Sequence, residues 1–491
     1  MDIDGYKMYI DAQWIDTDET FADFNPATGD IWAEIPNGSR EDAAQAIAAA
    51  AAAQSEWSAL PHGQRAGYLL KAADILEKRQ QDFADALIDE GGSWIGKAMF
   101  ESGYVPGLLR AAAAAVYQMT GEILPSEHGK ISMAVRQPLG VVSVISPWNF
   151  PLLLSTRGLS FALAVGNTVV LKPSEETPVS GGLLIAELFA EAQLPPGVFN
   201  VVTCSRDNVA EVGDELITNP LVGGISFTGS TVVGRQVASK AGMMLKKACV
   251  ELGGKDSLII LEDADMELAL NAASFGTFMH QGQICMSVEK IIVDESIAAE
   301  FTERFVAKVK SFKVGDPRQM PNVIGPIINQ RQLDKIHGQV TDAVDQGAQL
   351  LAGGTYEGLF YQPTVLTGVT PAMRVYQEET FGPVAPIITV KGLDEAVAVA
   401  NDSEYGLSAG IITRDEEKGL AVANRLQTGM AHINDSSVND EPHVPFGGMK
   451  SSGLGRHGGK ASVETFTELR WLTLERGGRH YPPPFLVGPQ G

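Results

Sequence analysis

A cysteine in a glycine- and glutamine-rich run is the first candidate for chemistry in this 491-residue chain. Of the three cysteines, Cys204 and Cys249 lie in apolar, strand-like surroundings that favour packing. Cys285 differs, because Gly282 and a glutamine precede it in the run HQGQICMS. Glycine lets the backbone bring a thiol close to a bound molecule, and a nucleophilic thiol needs a polar or electropositive setting in which to ionise. The run alone leaves both interpretations open, a nucleophile and a buried structural thiol.

A rigidly held amide is the second candidate. Asn149 lies in the run PWNFP, between Pro147 and Pro151, after an apolar stretch that predicts a buried strand. The prolines fix the backbone on both sides, and an asparagine held in this way can donate a hydrogen bond to a developing oxyanion. A proline turn with only a structural role is the alternative.

A carboxylate before two glycines is the third candidate. Glu251 opens the run ELGGK at the end of a predicted strand. In a partly apolar cleft the pKa of such a carboxylate is raised, so that it can serve as a general base near neutral pH. The alternative is an ion pair between Glu251 and Lys255.

Two further runs indicate a nucleotide site. Gly229 and Ser230 follow a predicted strand and open a helix, where free backbone N–H groups and the helix dipole suit a pyrophosphate. The fingerprint GxGxxG is absent. Lys172 and Glu175 follow another apolar strand, where they could bind ribose hydroxyls, and a carboxylate there repels a 2′-phosphate. An ordinary strand-to-helix turn and a solvated loop with a salt bridge are the alternatives.

Apolar β-branched runs alternate with helical segments from Gly140 onward. This alternation predicts a parallel sheet with helices on both faces, and such a sheet binds ligands at the carboxyl ends of its strands. A second unit of the same kind follows Glu251. The predicted strands cover 141–145, 168–171, 199–202, 224–227, 257–261 and 290–293, and the predicted helices cover 178–193, 265–278, 298–310, 394–401 and 416–426.

The segments on either side of these α/β units do not show the alternation of strands and helices. An alanine-rich helix begins at Arg40 with Ser39 as its N-cap, and further helices are predicted over 64–90 and 104–120. Two strand-like pieces, 130–136 and 464–474, are far apart in the sequence. They predict an arm that pairs with another subunit, and the alternative is that they pair only with each other inside one subunit.

Composition excludes several classes of partner. The net charge is 37 − 60 = −23 with histidine neutral, so the surface repels nucleic acid phosphates and anionic membranes. Three cysteines without a CxxC pair predict neither a disulfide framework nor a zinc site, and no metal is expected. The first residues do not read as a signal peptide, and no apolar run reaches the roughly 18 residues that span a bilayer. We therefore expect a cytoplasmic protein.

Taken together, these runs resemble the NAD(P)-dependent aldehyde dehydrogenase superfamily over essentially the whole chain. The matching blocks are 147–151, 171–175, 227–230, 251–255, 282–287, 378–384 (EETFGPV) and 445–456 (PFGGMKSSGLGR). The resemblance implies an α/β fold with two Rossmann-like parallel-sheet domains and a small β oligomerisation arm. The implied division is an NAD-binding domain over 1–120 and 140–250, a catalytic domain over 251–455, and oligomerisation segments over 121–139 and 456–491.

The resemblance also assigns roles. It implies that Cys285 is the nucleophile, that Glu251 is the general base, and that Asn149 forms the oxyanion hole with the backbone N–H of Cys285. One position departs from the family, because His457 stands where many members have a glutamate used in proton transfer. NAD is the expected cofactor. Its implied contacts are Ser146, Trp148, Lys172, Glu175, Gly229, Ser230, Val233, Leu252, Glu379 and Phe381.

For the substrate, an aromatic aldehyde is expected, oxidised by a homodimer or homotetramer. The segment 432–442 resembles the bacterial benzaldehyde, salicylaldehyde and vanillin dehydrogenases. An aliphatic, terpenoid or semialdehyde substrate is the alternative, and Arg157 could face a ring substituent or form an ion pair. The expected lining of the substrate site is Phe150, Leu154, Arg157, Met279, Ile284, Met286 and Phe446.

Two rival functions remain. A CoA-acylating dehydrogenase would transfer the acyl group to CoA, but that branch typically lacks the base that Glu251 supplies. A nucleotide-binding structural protein could share the fold, but it would not need Cys285, Glu251 and Asn149 together.

Overall fold

The computed structural model describes residues 5–127, 129–479 and 481–482. The predictions for residues 1–4 and for the end of the 456–491 segment, at 480 and 483–491, lie outside the described residues. Within the described part, three sheets and the helices around them account for the architecture.

The first sheet has eight strands, and its five central strands are parallel. Their carboxyl ends carry the runs that contain Asn149, Lys172, Gly229 and Glu251, so these runs meet at one edge. The strand order is Gln13–Ile15, Met8–Ile10, Phe199–Val201, Thr168–Lys172, Val141–Ile145, Val222–Thr228, Lys247–Glu251 and Gly453–Leu454.

The second sheet has seven strands and is parallel except at one edge. The strand Gly453–Leu454, inside the range predicted for the catalytic domain, pairs with the first sheet instead. The domain division itself stays a prediction. The order of the second sheet is Gln349–Ala352, Thr364–Thr367, Val384–Val390, Val288–Asp294, Asp256–Ile260, Ala409–Ile412 and His432–Ile433.

A third, antiparallel sheet forms the arm. Its order is Thr467–Leu474, Ile131–Pro138 and Glu122–Leu124. The two predicted strand-like pieces therefore pair with each other inside one chain, from Thr467 against Pro138 to Leu474 against Ile131. Pairing with another subunit stays a prediction. Short two-stranded ribbons join Thr20–Phe24 to Ile31–Pro36, Lys313–Val314 to Asn322–Ile324, and Tyr356–Glu357 to Phe360–Tyr361.

The helices follow from caps and alanine content in some places and from burial in others. Ser39 forms a capping box with Asp42 at the start of Arg40–Ala59, as the sequence predicts. The helices are Arg40–Ala59, His62–Lys78, Gln80–Gly91, Ile95–Ala115, Pro151–Ala164, Leu184–Glu191, Val209–Thr218, Thr231–Met243, Met266–Phe278, Ala298–Val309, Gln330–Asp345, Arg374–Gln377, Gly392–Asn401, Glu416–Ala423 and Gly459–Thr465. Single turns at Val116–Gln118 and Lys450–Ser452 are 3₁₀-helical, and Val179–Leu183 is π-helical. The turn Met279–Gly282 has non-helical backbone angles at His280 and Gln281.

Two helix predictions were wrong in their bounds. The predicted helix over 64–90 is two helices, because Arg79 leaves helical geometry and its guanidinium pairs with Asp82 and Glu187. The helix predicted over 104–120 begins at Ile95 and contains Pro106, a residue that usually ends a helix. Much of this helix is buried, so tertiary packing outweighs the low helix propensity of its glycines and proline.

The main core surrounds the helix Pro151–Ala164, in which every residue is buried. A helix buried on all faces shows no amphipathic pattern in its sequence. This helix begins directly after Asn149, so the surrounding core fixes the position of the candidate amide. No helix in the described ranges is both long and apolar enough to cross a membrane.

Candidate active site

A cavity of about 180 Å³ lies at the start of this central helix. Cys285 and Asn149 both line it, and all seven residues predicted to contact substrate do so as well. The complete lining is Phe100, Asn149, Phe150, Leu153, Leu154, Arg157, Phe275, Met279, Ile284, Cys285, Met286, Val438, Asn439, Asp440 and Phe446. The walls are therefore mainly aromatic and aliphatic, with polar groups at a few points.

The loop that carries Cys285 is held in an uncommon backbone conformation. His280, Gln281 and Gly282 have φ values of 49°, 56° and 70°, in the left-handed region. A side chain at Gly282 would place its Cβ 2.2 Å from the carbonyl oxygen of Gly382, so only glycine fits there. The Gln281 amide donates to the carbonyl oxygens of Gly92, at 3.2 Å, and Pro326, at 2.9 Å. These bonds fix the strained loop, and with it the thiol.

Glu251 lies close to this thiol in an environment that favours its neutral form. It is 2 % exposed, and among the described residues neither carboxylate oxygen has a hydrogen-bond partner other than the adjacent Cys285 thiol. Burial raises the pKa of Glu251 to about 7, although Arg157 and the adjacent Cys285 lower it. Lys255 binds Glu289 at 2.7 Å, so the alternative of a Glu251–Lys255 ion pair is wrong. A carboxylate with a pKa near neutrality and free oxygens is suited to accept a proton.

The thiol of Cys285 is neutral at rest. Burial raises its pKa well above the usual value, and the charges of Glu251, Asp256 and Glu379 add to this effect. The positive charge of Arg157 lowers it. The electropositive setting expected from the sequence is therefore weak, and ionisation of the thiol requires a base. Glu251 is the adjacent group able to take the proton.

The sequence left open whether Arg157 faces a ring substituent of the substrate or forms an ion pair. Arg157 forms a buried ion pair with Asp440, and its guanidinium carbon lies 4.1 Å from the centroid of the Phe446 ring. The Tyr104 hydroxyl donates to the same Asp440 carboxylate at 2.9 Å. Within the part of the chain that the structure describes, Arg157 Nη1 and Asp440 Oδ1 have no hydrogen-bond partner. The ion-pair interpretation is thus confirmed, and it leaves one donor and one acceptor unused beside the cavity.

A second buried ion pair supports the part of the cavity wall that Phe150 forms. Lys97 and Glu101 form an ion pair with fully buried side chains, and the Lys97 ammonium lies 4.3 Å from the centroid of the Phe150 ring. Glu101 also accepts a hydrogen bond from the backbone N–H of Leu153 at 2.9 Å. The pair therefore fixes the first turn of the central helix, where Phe150, Leu153 and Leu154 face the cavity.

On the other side of Cys285 lie the residues predicted to hold the nicotinamide half of a cofactor. Glu379 accepts a hydrogen bond from the backbone N–H of Gly254 at 3.0 Å. A Cβ on Gly253 would lie 2.5 Å from the Glu379 carboxylate, so glycine is needed for this approach. The rings of Trp148 and Phe381 meet edge to face with centroids 5.4 Å apart. This arrangement offers a carboxylate and aromatic surface beside the thiol.

The residues predicted to hold the adenosine half lie at the carboxyl edge of the first sheet. Ser230 caps the helix Thr231–Met243, and Val233 in its first turn is 45 % exposed. The Lys172 ammonium donates to the carbonyl of Pro173 at 2.9 Å, and the Glu175 carboxylate lies 3.8 Å from Arg206. A carboxylate, a helix N-terminus and an exposed apolar side chain suit a ribose, a pyrophosphate and an adenine ring.

Two residues predicted to contact the cofactor direct their side chains at other protein groups. The Ser146 hydroxyl is bonded to that of Ser155 at 2.6 Å and is 5 % exposed. The Leu252 side chain packs against Gly234, where a Cβ would lie 2.1 Å from it. Both residues shape the edge of the sheet, and direct cofactor contact by either stays a prediction.

The amino-acid sequence matches a known protein family. The sequence model that describes the aldehyde dehydrogenase family matches residues 14–472. The chain belongs to the aldehyde dehydrogenase family. The resemblance drawn from the sequence is thereby confirmed, and so is the α/β fold class with its two Rossmann-like sheet domains and small β arm.

Similar proteins of this family are aromatic aldehyde dehydrogenases by name. The chain is 49 % identical to a vanillin dehydrogenase of Amycolatopsis sp., covering 93 % of this chain and 94 % of the relative. It is 43 % identical to a benzaldehyde dehydrogenase [NAD(+)] of Pseudomonas putida, covering 97 % and 98 %. A crystal structure of a salicylaldehyde dehydrogenase from Pseudomonas putida G7 complexed with salicylaldehyde has a TM-score of 0.94 and 41 % identity, covering 97 % and 99 %.

In this aldehyde dehydrogenase His457 is a poor substitute for the family's glutamate. Its ring is 1 % exposed, and burial together with Arg157 lowers its pKa to about 3. Its Nε2 lies 3.5 Å from the Ser226 hydroxyl, while its backbone pairs with that of Phe446. A buried, neutral histidine carries no charge that could replace the carboxylate of a glutamate.

Several lining residues of the enzyme were missed by sequence reasoning. They are Phe100, Leu153, Phe275, Val438, Asn439 and Asp440. Asp440 lies in the segment 432–442, whose resemblance to aromatic aldehyde dehydrogenases was a usable signal. Phe100 lay outside the predicted helix bounds, and its sequence context gave no signal that it lines the cavity. Among the described residues no cluster of three or more His, Cys, Asp or Glu side chains could hold a metal ion.

Proposed function

We propose that this enzyme oxidises an aromatic aldehyde to its carboxylic acid with NAD+ as the hydride acceptor. The observation that carries the proposal is the shape and lining of the cavity around Cys285. A cavity of about 150 Å³ lined by apolar side chains is known to bind benzene, and this one measures about 180 Å³. Aromatic and thioether walls suit a flat ring. The names of the similar vanillin, benzaldehyde and salicylaldehyde dehydrogenases support the same substrate class.

The chemistry begins at the thiol. Glu251 takes the proton of Cys285, and the sulfur then attacks the carbonyl carbon of the aldehyde to give a tetrahedral thiohemiacetal. The oxyanion is stabilised by the side-chain N–H of Asn149 and the backbone N–H of Cys285. NAD+ held at Glu379 and Phe381 would accept the hydride that the former aldehyde carbon loses as the oxyanion collapses, and a thioester on Cys285 remains.

The second half-reaction is hydrolysis. Glu251 accepts a proton from water as the water oxygen attacks the thioester carbon. The second tetrahedral intermediate expels the Cys285 thiolate and releases the carboxylic acid. Between the two half-reactions Glu251 releases the thiol proton to solvent, which a pKa of about 7 allows at neutral pH, and it is then free to take the proton of water. This role separates the enzyme from a CoA-acylating dehydrogenase.

The residues at the cofactor edge fit NAD+. We assign the adenosine ribose to Lys172 and Glu175, the pyrophosphate to Gly229 and Ser230, and the nicotinamide ribose to Glu379. Phe381 and Trp148 provide the surface beside the nicotinamide, and Val233 the surface beside the adenine. We further propose a cytoplasmic homodimer or homotetramer, in keeping with three cysteines that are all free thiols.

The substrate class is tested by kcat/KM for benzaldehyde, vanillin, hexanal and succinate semialdehyde measured side by side with NAD+. We expect both aromatic aldehydes to exceed the other two. An aliphatic aldehyde is the second candidate, because an apolar cavity discriminates weakly between hydrocarbon shapes. If hexanal or the semialdehyde is favoured tenfold over both aromatic substrates, the aromatic assignment is wrong.

A further inference from the structure

The ion pair between Lys255 and Glu289 has no role in the chemistry described so far. Glu289 is 2 % exposed and Lys255 is 3 % exposed, and the Lys255 ammonium lies 2.7 Å from Glu289 Oε2. Neither residue lines the substrate cavity. Glu289 follows Cys285 by four positions, at the start of the strand Val288–Asp294. The pair therefore lies behind the nucleophile loop and away from the aldehyde.

Glu289 directs both of its oxygens at one loop. Oε2 accepts a hydrogen bond from the backbone N–H of Thr380, and Oε1 accepts one from the backbone N–H of Phe381, each at 2.7 Å. Lys255 also donates to the Thr380 hydroxyl at 3.2 Å. Hydrogen bonds to an ionised acceptor are stronger than those between neutral groups. The carboxylate thus holds two consecutive N–H groups of the loop.

The carbonyl groups of the same loop are held from another side. The Gln332 amide donates to the carbonyl oxygen of Thr380 at 3.1 Å and to that of Phe381 at 2.8 Å. Phe381 has a φ of 56°, a left-handed conformation that is uncommon for a bulky residue. Such a conformation persists only where the surroundings fix it. Glu289 and Gln332 together supply that restraint.

The restrained loop carries the groups that face the nicotinamide half of the cofactor. Glu379 is held against Gly254, the residue before Lys255, and the Phe381 ring lies against Trp148. Lys255 belongs to the run that begins with Glu251. One ion pair therefore ties the turn after the general base to the loop at the nicotinamide.

We propose that the buried Lys255–Glu289 ion pair is the positioning element of the loop Glu379–Phe381, and that it sets the alignment of the nicotinamide ring for hydride transfer. This inference rests on the proposed function, because it needs NAD+ at that loop. A buried ion pair is an inefficient way to stabilise a core, since desolvation offsets the attraction between its charges. Here the ion pair stabilises the left-handed backbone conformation of Phe381 instead.

The main test is Glu289→Gln. Glutamine keeps the shape of the side chain but has one acceptor oxygen, and its NH₂ group would face a donor. We expect kcat to fall about 10- to 100-fold, the usual size for a misaligned reacting group, and the KM for NAD+ to rise several-fold. The KM for benzaldehyde should change less than about 2-fold. With benzaldehyde deuterated at the formyl carbon, the primary isotope effect on kcat should increase, because hydride transfer becomes rate-limiting.

Three further variants separate a loss of loop alignment from a loss of folding. Glu289→Asp keeps the charge and the pair with Lys255 but shortens the reach to the loop, so it should give a weaker form of the same isotope-effect change. Lys255→Met leaves Glu289 charged without a partner and should lower the Tm. The double variant Lys255→Met with Glu289→Gln should recover Tm while kcat stays low.

Lys97→Met is the matched control, because the Lys97–Glu101 pair is equally buried but contacts the substrate wall. It should raise the KM for benzaldehyde and leave the KM for NAD+ and the isotope effect unchanged. If the Lys97 and Glu289 variants change the KM for NAD+ to the same extent, or if Glu289→Gln leaves the isotope effect unchanged, the proposal is overturned. Failure of the proposed function would look different, because the unaltered enzyme would then favour hexanal or succinate semialdehyde over benzaldehyde, or would form no NADH from benzaldehyde.

Discussion

Arg157 and Asp440 form a buried ion pair in the wall of the cavity that holds Cys285. The two charges act on Glu251 in opposite directions, because Arg157 lowers the pKa of this carboxyl group and Asp440 raises it. Glu379 is a further carboxylate that raises the pKa of Glu251. The pair thus adjusts the pKa of Glu251, the proposed general base.

Opposite pH shifts are expected when this pair is altered. The proposed general base Glu251 must be deprotonated to act, so kcat should rise with pH through a midpoint near 7. Asp440→Asn removes a negative charge, and the midpoint should move to lower pH by up to about one unit. Arg157→Leu should move it to higher pH, although less far, because the unpaired Asp440 takes up a proton.

The pH profile of kcat for benzaldehyde measures both shifts. Arg157→Lys keeps the positive charge and serves as the control, with a midpoint close to that of the unaltered enzyme. Movement of the Asp440 and Arg157 variants in the same direction would contradict the electrostatic account.

The two half-reactions should separate in variants of the reacting side chains. Cys285→Ala should form no NADH but bind NAD+ with nearly unchanged affinity. Glu251→Gln should give a burst of NADH and then stall at the thioester, because water lacks its base. Stopped-flow absorbance measures the burst and the steady state. Full steady-state turnover of Glu251→Gln at neutral pH would remove its role as the base.

The sequence was enough to place Cys285, Glu251 and Asn149 because each lies in a short run that joins a strand end to a turn. It was also enough for the parallel strands, whose apolar runs are continuous. It could not supply the partner of Arg157, since Asp440 is 283 positions away and meets it only in the folded chain. The same holds for Lys255, whose partner is Glu289 and not the nearby Glu251.

Helix bounds were predicted least well where tertiary packing, and not the helix propensity of the residues, stabilises the helix. The helix Ile95–Ala115 contains Gly96, Gly103 and Pro106, which read as breaks in a sequence. Helix propensity describes an isolated segment, whereas this one is packed against the helices on either side. Phe100 was missed as a lining residue for the same reason.

Asn149→Ala should reduce kcat about 10²- to 10³-fold, the usual cost of losing one oxyanion donor. Asn149 is 4 % exposed and lies between prolines at the start of the central helix, so its amide needs little reordering to reach the oxyanion. The KM for NAD+ should stay within about 2-fold, because the cofactor residues are untouched. Steady-state kinetics with benzaldehyde provide the measurement, and a loss below about 5-fold would argue against the oxyanion role.

Cofactor preference should depend on Glu175. Its charge would oppose the 2′-phosphate of NADP+, so we expect NAD+ to be preferred strongly but not absolutely, since the side chain is 22 % exposed. Glu175→Gln should raise kcat/KM for NADP+ by about 10-fold, because it removes this repulsion and frees Arg206 to meet the phosphate. Adding Arg206→Ala should cancel most of that gain. Equal kcat/KM for both cofactors in the unaltered enzyme would refute the preference.

Assembly into a dimer or a dimer of dimers is expected from the arm sheet. Its two edge strands, Thr467–Leu474 and Glu122–Leu124, present Leu469 at 59 % and Ile123 at 83 % exposure. Edge strands with exposed apolar side chains pair or pack readily with another chain. Light scattering at micromolar concentration should show an oligomer, and Leu469→Arg with Ile123→Arg should reduce its mass. Leu420→Arg, at a site that is 56 % exposed on the helix Glu416–Ala423, is the control that should not. A monomeric unaltered protein would exclude the assembly.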